Sequence, residues 1–164
     1  MTADNPVFSI TRLFNAPRDL VWKAWTDPKM LAQWFGPKGC EARLVTHELR
    51  AGGVWHSCMK MPGGLEIWGK FIFREVVEPS KLVWVHGFSD AQGGRTRHPM
   101  SPDWPLEMLT TVMFTEHGDK TEVVVTLVPI DATDAERQIF AEGIPSMNQG
   151  WGGSFEQLDD FLAK

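Results

Sequence analysis

The chain has 164 residues, 43% of them hydrophobic and 23% charged, with a formal net charge of −5. That length suits one globular domain over residues 1–164, and an acidic balance without a basic run argues against a nucleic-acid footprint. No apolar stretch reaches 18 residues, and Met1 to Pro6 lacks the charged-then-apolar order of a signal peptide, so neither a membrane span nor a leader is expected.

Cys40 and Cys58 have no metal or redox spacing, which points to a reduced, cytoplasmic protein. Eight Trp and eight Met stand beside no Tyr. Met and Trp fill cores, and they also line adaptable apolar cavities.

Val7 to Phe14 alternates, with Phe8, Ile10, Arg12 and Phe14 on one face, and predicts a strand. Arg12 among apolar neighbours is either a structural ion pair or an anchor for an acidic ligand group. Asn15 is a candidate cap and Pro17 falls in the first turn of a helix whose narrow face is Leu20, Val21, Ala24 and Trp25. Asp27-Pro28 starts a second short helix carrying Leu31, Trp34 and Phe35, and Gly36-Pro37 ends it.

From Glu41 the period changes from 3.6 to 2. Strands are predicted over Glu41–Leu49, Val54–Met61, Leu65–Val77 and Lys81–Phe88, separated by short Gly- and Pro-rich turns that force antiparallel pairing. Gly69 shares a face with Leu65, Ile67, Phe71 and Phe73, marking a bulge or a close approach. Ser89 to Pro105 is too long and polar for a tight hairpin and reads either as a lid or binding loop or as a mobile excursion with no role. Leu106–Thr115 and Thr121–Val128 form a last hairpin, with Pro129 ending the sheet.

The run from Asp131 to Lys164 places Phe140, Ile144, Met147, Trp151, Phe155, Leu158 and Leu162 on one helical face. Thr133 and Glu136 fit a capping box. Gly143 and Pro145 predict a kink or short break, and Gly150, Gly152 and Gly153 a close neighbour. The acids of this run read as its solvated side.

The order is thus a strand, two short helices, six strands and a long helix: an α+β class. An antiparallel sheet of about seven strands must curl, and a long helix in its concave face leaves space for an apolar ligand.

This order resembles the helix-grip fold of the START-like (SRPBCC) superfamily, which includes the birch-pollen allergen and bacterial polyketide cyclases. Thr11-Arg12-Leu13-Phe14-Asn15-Ala16-Pro17, Leu20-Val21-Trp22, Ala24-Trp25-Thr26-Asp27-Pro28 and Leu31 to Pro37 are more specific. With the Leu49 to Gly53 turn, Gly150-Trp151 and Leu158, they resemble the family of the activator of the heat-shock-protein-90 ATPase over essentially the whole chain. The resemblance implies a cavity for a hydrophobic molecule and transfers no catalytic motif. It also raises a chaperone partner, though the chain has no room for the separate N-terminal domain of the eukaryotic co-chaperone.

No phosphate loop, nucleophile elbow or histidine pair at metal spacing occurs, so no cofactor and no metal are expected. His56 and Cys58 share a strand face, a possible nucleophilic pair that chance explains more simply. His86 lies with Leu82, Trp84 and Phe88, as a hydrogen-bonded core histidine or a general base. The leading expectation is binding of a small hydrophobic or amphipathic ligand by Phe71, Phe73, His86, Met108, Val112 and Phe114 of the sheet with Phe140, Ile144, Met147 and Trp151 of the helix. A cyclase- or hydrolase-like enzyme using His86 or His56 in that cavity, and a co-chaperone or stress-response interaction domain, are the alternatives. The sequence leaves the oligomeric state open.

Overall fold

The computed structural model describes residues 5–35, 39–98 and 101–163. Its elements in chain order are β1 (Phe8–Phe14), α1 (Arg18–Thr26), α2 (Pro28–Trp34), β2 (Glu41–His47), β3 (Val54–Lys60), β4 (Glu66–Val77), β5 (Lys81–Ser89), β6 (Glu107–His117), β7 (Lys120–Ile130), α3 (Asp134–Glu142) and α4 (Ile144–Leu162). The strands form one antiparallel sheet in the order β1-β7-β6-β5-β4-β3-β2. Five hairpins account for five of the neighbour pairs. The sixth is made by β1 pairing with β7, the last strand, while α1 and α2 carry the chain across to β2 at the far edge. This is the helix-grip architecture: a curved sheet closed on one face by helices.

Local chemistry sets most of the boundaries. Asp27 caps α2, its carboxylate accepting from Lys29 N at 2.9 Å, and Pro28 takes the first helical position, where no N–H is needed. Thr133 and Glu136 form the reciprocal capping box of α3: Glu136 N donates to Thr133 Oγ1 at 3.1 Å and Thr133 N to Glu136 Oε1 at 2.9 Å. Gly143 separates α3 from α4, and Pro145 sits in the first turn of α4. Gly36-Pro37 lies outside the described residues.

Several expectations are corrected. Pro17, not Asn15, stands at the N-cap of α1, and no side chain caps that end. The β2 strand stops at His47, where Glu48 turns to serve the following turn: its carboxylate accepts from Val54 N at 3.1 Å. Pro129 is inside β7, opposite Met108. Its carbonyl accepts from Asn5 Nδ2 at 2.9 Å. A strand residue directs its N and O to the same side, so its missing donor falls on the edge beyond the end of β1, where no ladder bond is lost. The register irregularity of β4 lies between Phe73 and Glu75, not at Gly69. Nothing stands within 4 Å of a Cβ built at Gly150, Gly152 or Gly153, so no close neighbour explains those glycines.

The core sits between the sheet and α1, α2 and α4. Trp25 is at its centre, 4.8 Å from the Trp34 ring, 5.9 Å from Phe114 and stacked at 14° on Trp151. Trp34 Nε1 donates to Ala24 O at 2.8 Å and locks α2 onto α1. Arg12 makes an ion pair with Asp159 of α4 at 2.5 Å, so its place among apolar neighbours is a structural one.

Candidate functional site

The sheet register builds the site. Trp55, Phe71, His86, Met108 and Pro129 are direct neighbours across β3, β4, β5, β6 and β7, one row on the concave face. Trp55 stacks on Phe71 with centroids 4.0 Å apart, and Phe71 stacks on His86 at 5.1 Å and 11°. On one side of this row lies the packed core, starting with Phe73 and Trp84. On the other side come Ser57, Gly69 and Phe88, then Met59 and Ile67, and above these residues the interior is open.

The opening is a cavity of about 650 Å³ between the sheet and the α3–α4 junction. Its floor is Phe71, His86, Met108 and the Ser57–Gly69–Phe88 row. Its roof is Ile139, Glu142, Gly143, Ser146, Met147 and Trp151. Phe35, one residue past α2, and His98, Ser101 and Trp104 complete the wall. Gly69 has a role here, since a side chain at that point would project over the floor. Gly143 is required for a different reason. A Cβ there would stand 2.9 Å from the Trp104 ring, which packs 5.5 Å from Phe140.

The described parts of the 89–105 stretch, residues 89–98 and 101–105, are pinned in place. β5 runs through Ser89, which bridges to Arg95. Asp90 Oδ1 accepts from Gln92 N at 2.9 Å and Gly94 N at 2.8 Å, tying the turn. Arg95 donates to Lys70 O at 3.1 Å and pairs with Glu107 at 3.1 Å. Arg97 pairs with Glu136 of α3. These contacts fix His98 and Trp104 against the cavity. His98 packs 4.6 Å from Phe88, and burial lowers its pKa.

Of the residues expected to form the site, Phe71, His86, Met108, Met147 and Trp151 line the cavity together. Phe73, Val112, Phe114 and Phe140 are in the closed core, and Ile144 is half-buried against it. For the sheet residues α1 accounts for this, since its Trp22 and Trp25 fill the space over Phe114 at 5.4 and 5.9 Å, while Phe140 packs behind Trp104 at 5.5 Å. Phe35, Phe88 and Trp104 carried the right apolar character but were read as helix face, core and loop.

His86 points inward, with Nε2 2.7 Å from Thr110 Oγ1. Burial, assisted by the Arg95 charge, pushes its pKa down to about 3, so the ring is neutral at physiological pH. A base that weak takes up little proton at neutral pH. His56 is on the opposite face, its Nε2 3.2 Å from Ser89 Oγ and 3.1 Å from Asp90 O. Cys58 instead reaches Glu66 Oε2 at 3.4 Å, and burial followed by that carboxylate pushes its thiol up, away from the nucleophilic thiolate. The two form no catalytic pair. Among the described residues no cluster of His, Cys, Asp and Glu could hold a metal ion. None of the described helices is long and apolar enough to cross a membrane.

The sequence profile described as "Activator of Hsp90 ATPase homolog 1-like protein" matches residues 15–163. A crystal structure of a Mycobacterium smegmatis protein is 26% identical, with a TM-score of 0.75 over 98% of this chain and 96% of that one. A solution structure of an Arthrobacter aurescens protein is 27% identical, with a TM-score of 0.80 over 96% of this chain and 86% of that one. A Silicibacter pomeroyi protein at 18% identity shares the fold, with a TM-score of 0.73 over 96% of this chain and 98% of that one. No curated protein matches the chain.

Proposed function

The chain belongs to the activator of Hsp90 ATPase homolog 1-like family, and from that premise we propose that it binds a small hydrophobic or amphipathic molecule between the sheet and the α3–α4 junction. The observation that carries the reading is the cavity itself: about 650 Å³ of open interior beside a buried apolar cluster that runs from Phe8 to Leu158. That volume is in the range of small-molecule sites, which are typically on the order of 300–1,000 Å³ and mainly apolar with a few polar groups. Phe71, His86, Met108, Met147 and Trp151 are its proposed contacts, joined by Phe35, Phe88 and Trp104. Met59, Met108 and Met147 supply adaptable surface.

An enzyme in the same cavity has weaker support, because His86 is a poor base held by the Thr110 hydroxyl rather than a carboxylate, and burial also lowers the pKa of His98, the other histidine of the wall. The test is an amide NMR titration with apolar compounds of different shape, from alkyl chains to fused rings. Saturable shifts at 67–71, 86–88, 101–108 and 139–151 are expected, with β1 and the β6–β7 turn unmoved. Saturation centred elsewhere, or no shift with any compound, would sink the reading and move weight to a protein-interaction role.

A further inference from the structure

The polar groups of the cavity select among ligands, and His86 is the one whose protonation the geometry fixes. Thr110 is fully buried, and among the described residues its hydroxyl meets a single partner, His86 Nε2 at 2.7 Å. A threonine hydroxyl carries one proton to donate, and a buried donor without an acceptor is strongly disfavoured. If Nε2 held the ring proton, the Thr110 O–H would have no acceptor. The Thr110 O–H therefore donates to Nε2, and the neutral ring carries its proton on Nδ1. Nδ1 has no partner among the described residues and is not among the buried polar atoms sealed from solvent. The open space that His86 borders is the cavity. Nδ1–H is thus a donor offered to whatever occupies it. Trp104, on the same wall, also has an indole N–H without a partner.

The charges point the same way. Among the described residues lining the cavity there is no Lys or Arg, and Glu142 is the one carboxylate. Arg95, whose charge reaches His86, is already paired with Glu107, so a ligand anion would be desolvated with no unpaired cation in the lining to receive it. We propose that the cavity takes an uncharged apolar molecule that presents an acceptor oxygen, of the ketone, ester or amide kind, to Nδ1–H of His86. This rests on the cavity being a ligand site and adds to it the polarity and charge of the ligand.

The test uses three probes with one ring system: 2-acetylnaphthalene, 2-ethylnaphthalene and 2-naphthoate. The ketone is expected to bind roughly three- to tenfold tighter than the hydrocarbon, the gain of one neutral hydrogen bond, and the carboxylate weakest. His86→Phe should keep the stacking on Phe71 and erase the ketone's advantage. Thr110→Val, which frees the tautomer, should reduce it without removing the ring. Independently, long-range proton–nitrogen spectra of the unliganded protein should find the His86 proton on Nδ1. A proton on Nε2, equal affinities for ketone and hydrocarbon, or tightest binding of the carboxylate would overturn the inference while leaving the cavity a ligand site. Failure of all three probes, together with failure of the wider titration, would remove both.

Discussion

Glu136 and His86 are opposite cases of a side chain whose charge is set by its surroundings. The backbone N–H of Thr133 holds the Glu136 carboxyl below its ordinary 4.5, against an opposing push from burial, and the Arg97 guanidinium adds to the lowering. A carboxyl lowered on folding adds stability above the unfolded value, and that stability is lost as pH falls through the folded value. Glu136→Gln should therefore destabilise the protein at neutral pH by a penalty that shrinks on acidification below about 4.5. Denaturant melts across pH would show this; a penalty independent of pH would contradict it. For His86 the unfolded ring titrates at 6.5 and the folded ring at about 3. Between those values only the unfolded chain takes the proton, so stability falls with pH through that window. His86→Phe should flatten that part of the acid limb, and an unchanged slope would show that the ring is not held neutral.

Helix α4 carries three glycines at a cost that its packing does not explain. Gly150, Gly152 and Gly153 have open space where a Cβ would stand, and none has a positive φ. In a helix interior each glycine costs roughly 0.5–1 kcal/mol relative to alanine. Replacing any one with Ala should raise stability by about that amount, read as a higher denaturant midpoint; a loss would reveal a contact or motion that needs the glycine. Gly143 is the counter-example, where Ala would press on Trp104 at 2.9 Å. The sequence suggested the reverse, a break at Gly143 and a close neighbour at Gly150, Gly152 and Gly153, because spacing along a helix does not tell which side another element approaches. The capping box of Thr133 and Glu136 was legible because it is a rule over four successive residues with no tertiary input. The α1 cap was not, since Asn15 had the right chemistry but Pro17 took the position. Pro129 misled for the same reason: its tolerance depends on where β1 ends, a fact about a distant strand.

At the scale of the whole molecule, alternation told which face of each strand turns inward, and the element order told that helices would cover it. What alternation cannot tell is how far along a strand the cover is filled. Phe71 and Phe73 are two residues apart on the same face, yet Phe71 borders the cavity and Phe73 is 2% exposed in the core. The division follows from Trp22 and Trp25, which α1 brings over one end of the sheet, while the α3–α4 junction stands away from the other. Phe73, Val112 and Phe114 fell on the filled side for that reason, Phe140 packs behind the Trp104 wall, and Phe35, Phe88 and Trp104 went unseen on the open side. Gly69 gives access to the claim that the open side is a ligand site. Its side-chain direction leads onto the cavity floor, and the nearest obstacle to a Cβ is the Phe71 ring edge at 3.4 Å. Gly69→Leu therefore fills the cavity from a strand without disturbing the core. The most direct measurement is the affinity of this variant for a ligand bound by the parent protein, beside its thermal midpoint. The account predicts binding weakened tenfold or more, on the order of the loss of one well-buried apolar contact, with the midpoint held or raised. Unchanged affinity in a folded variant would place the ligand elsewhere and contradict the account.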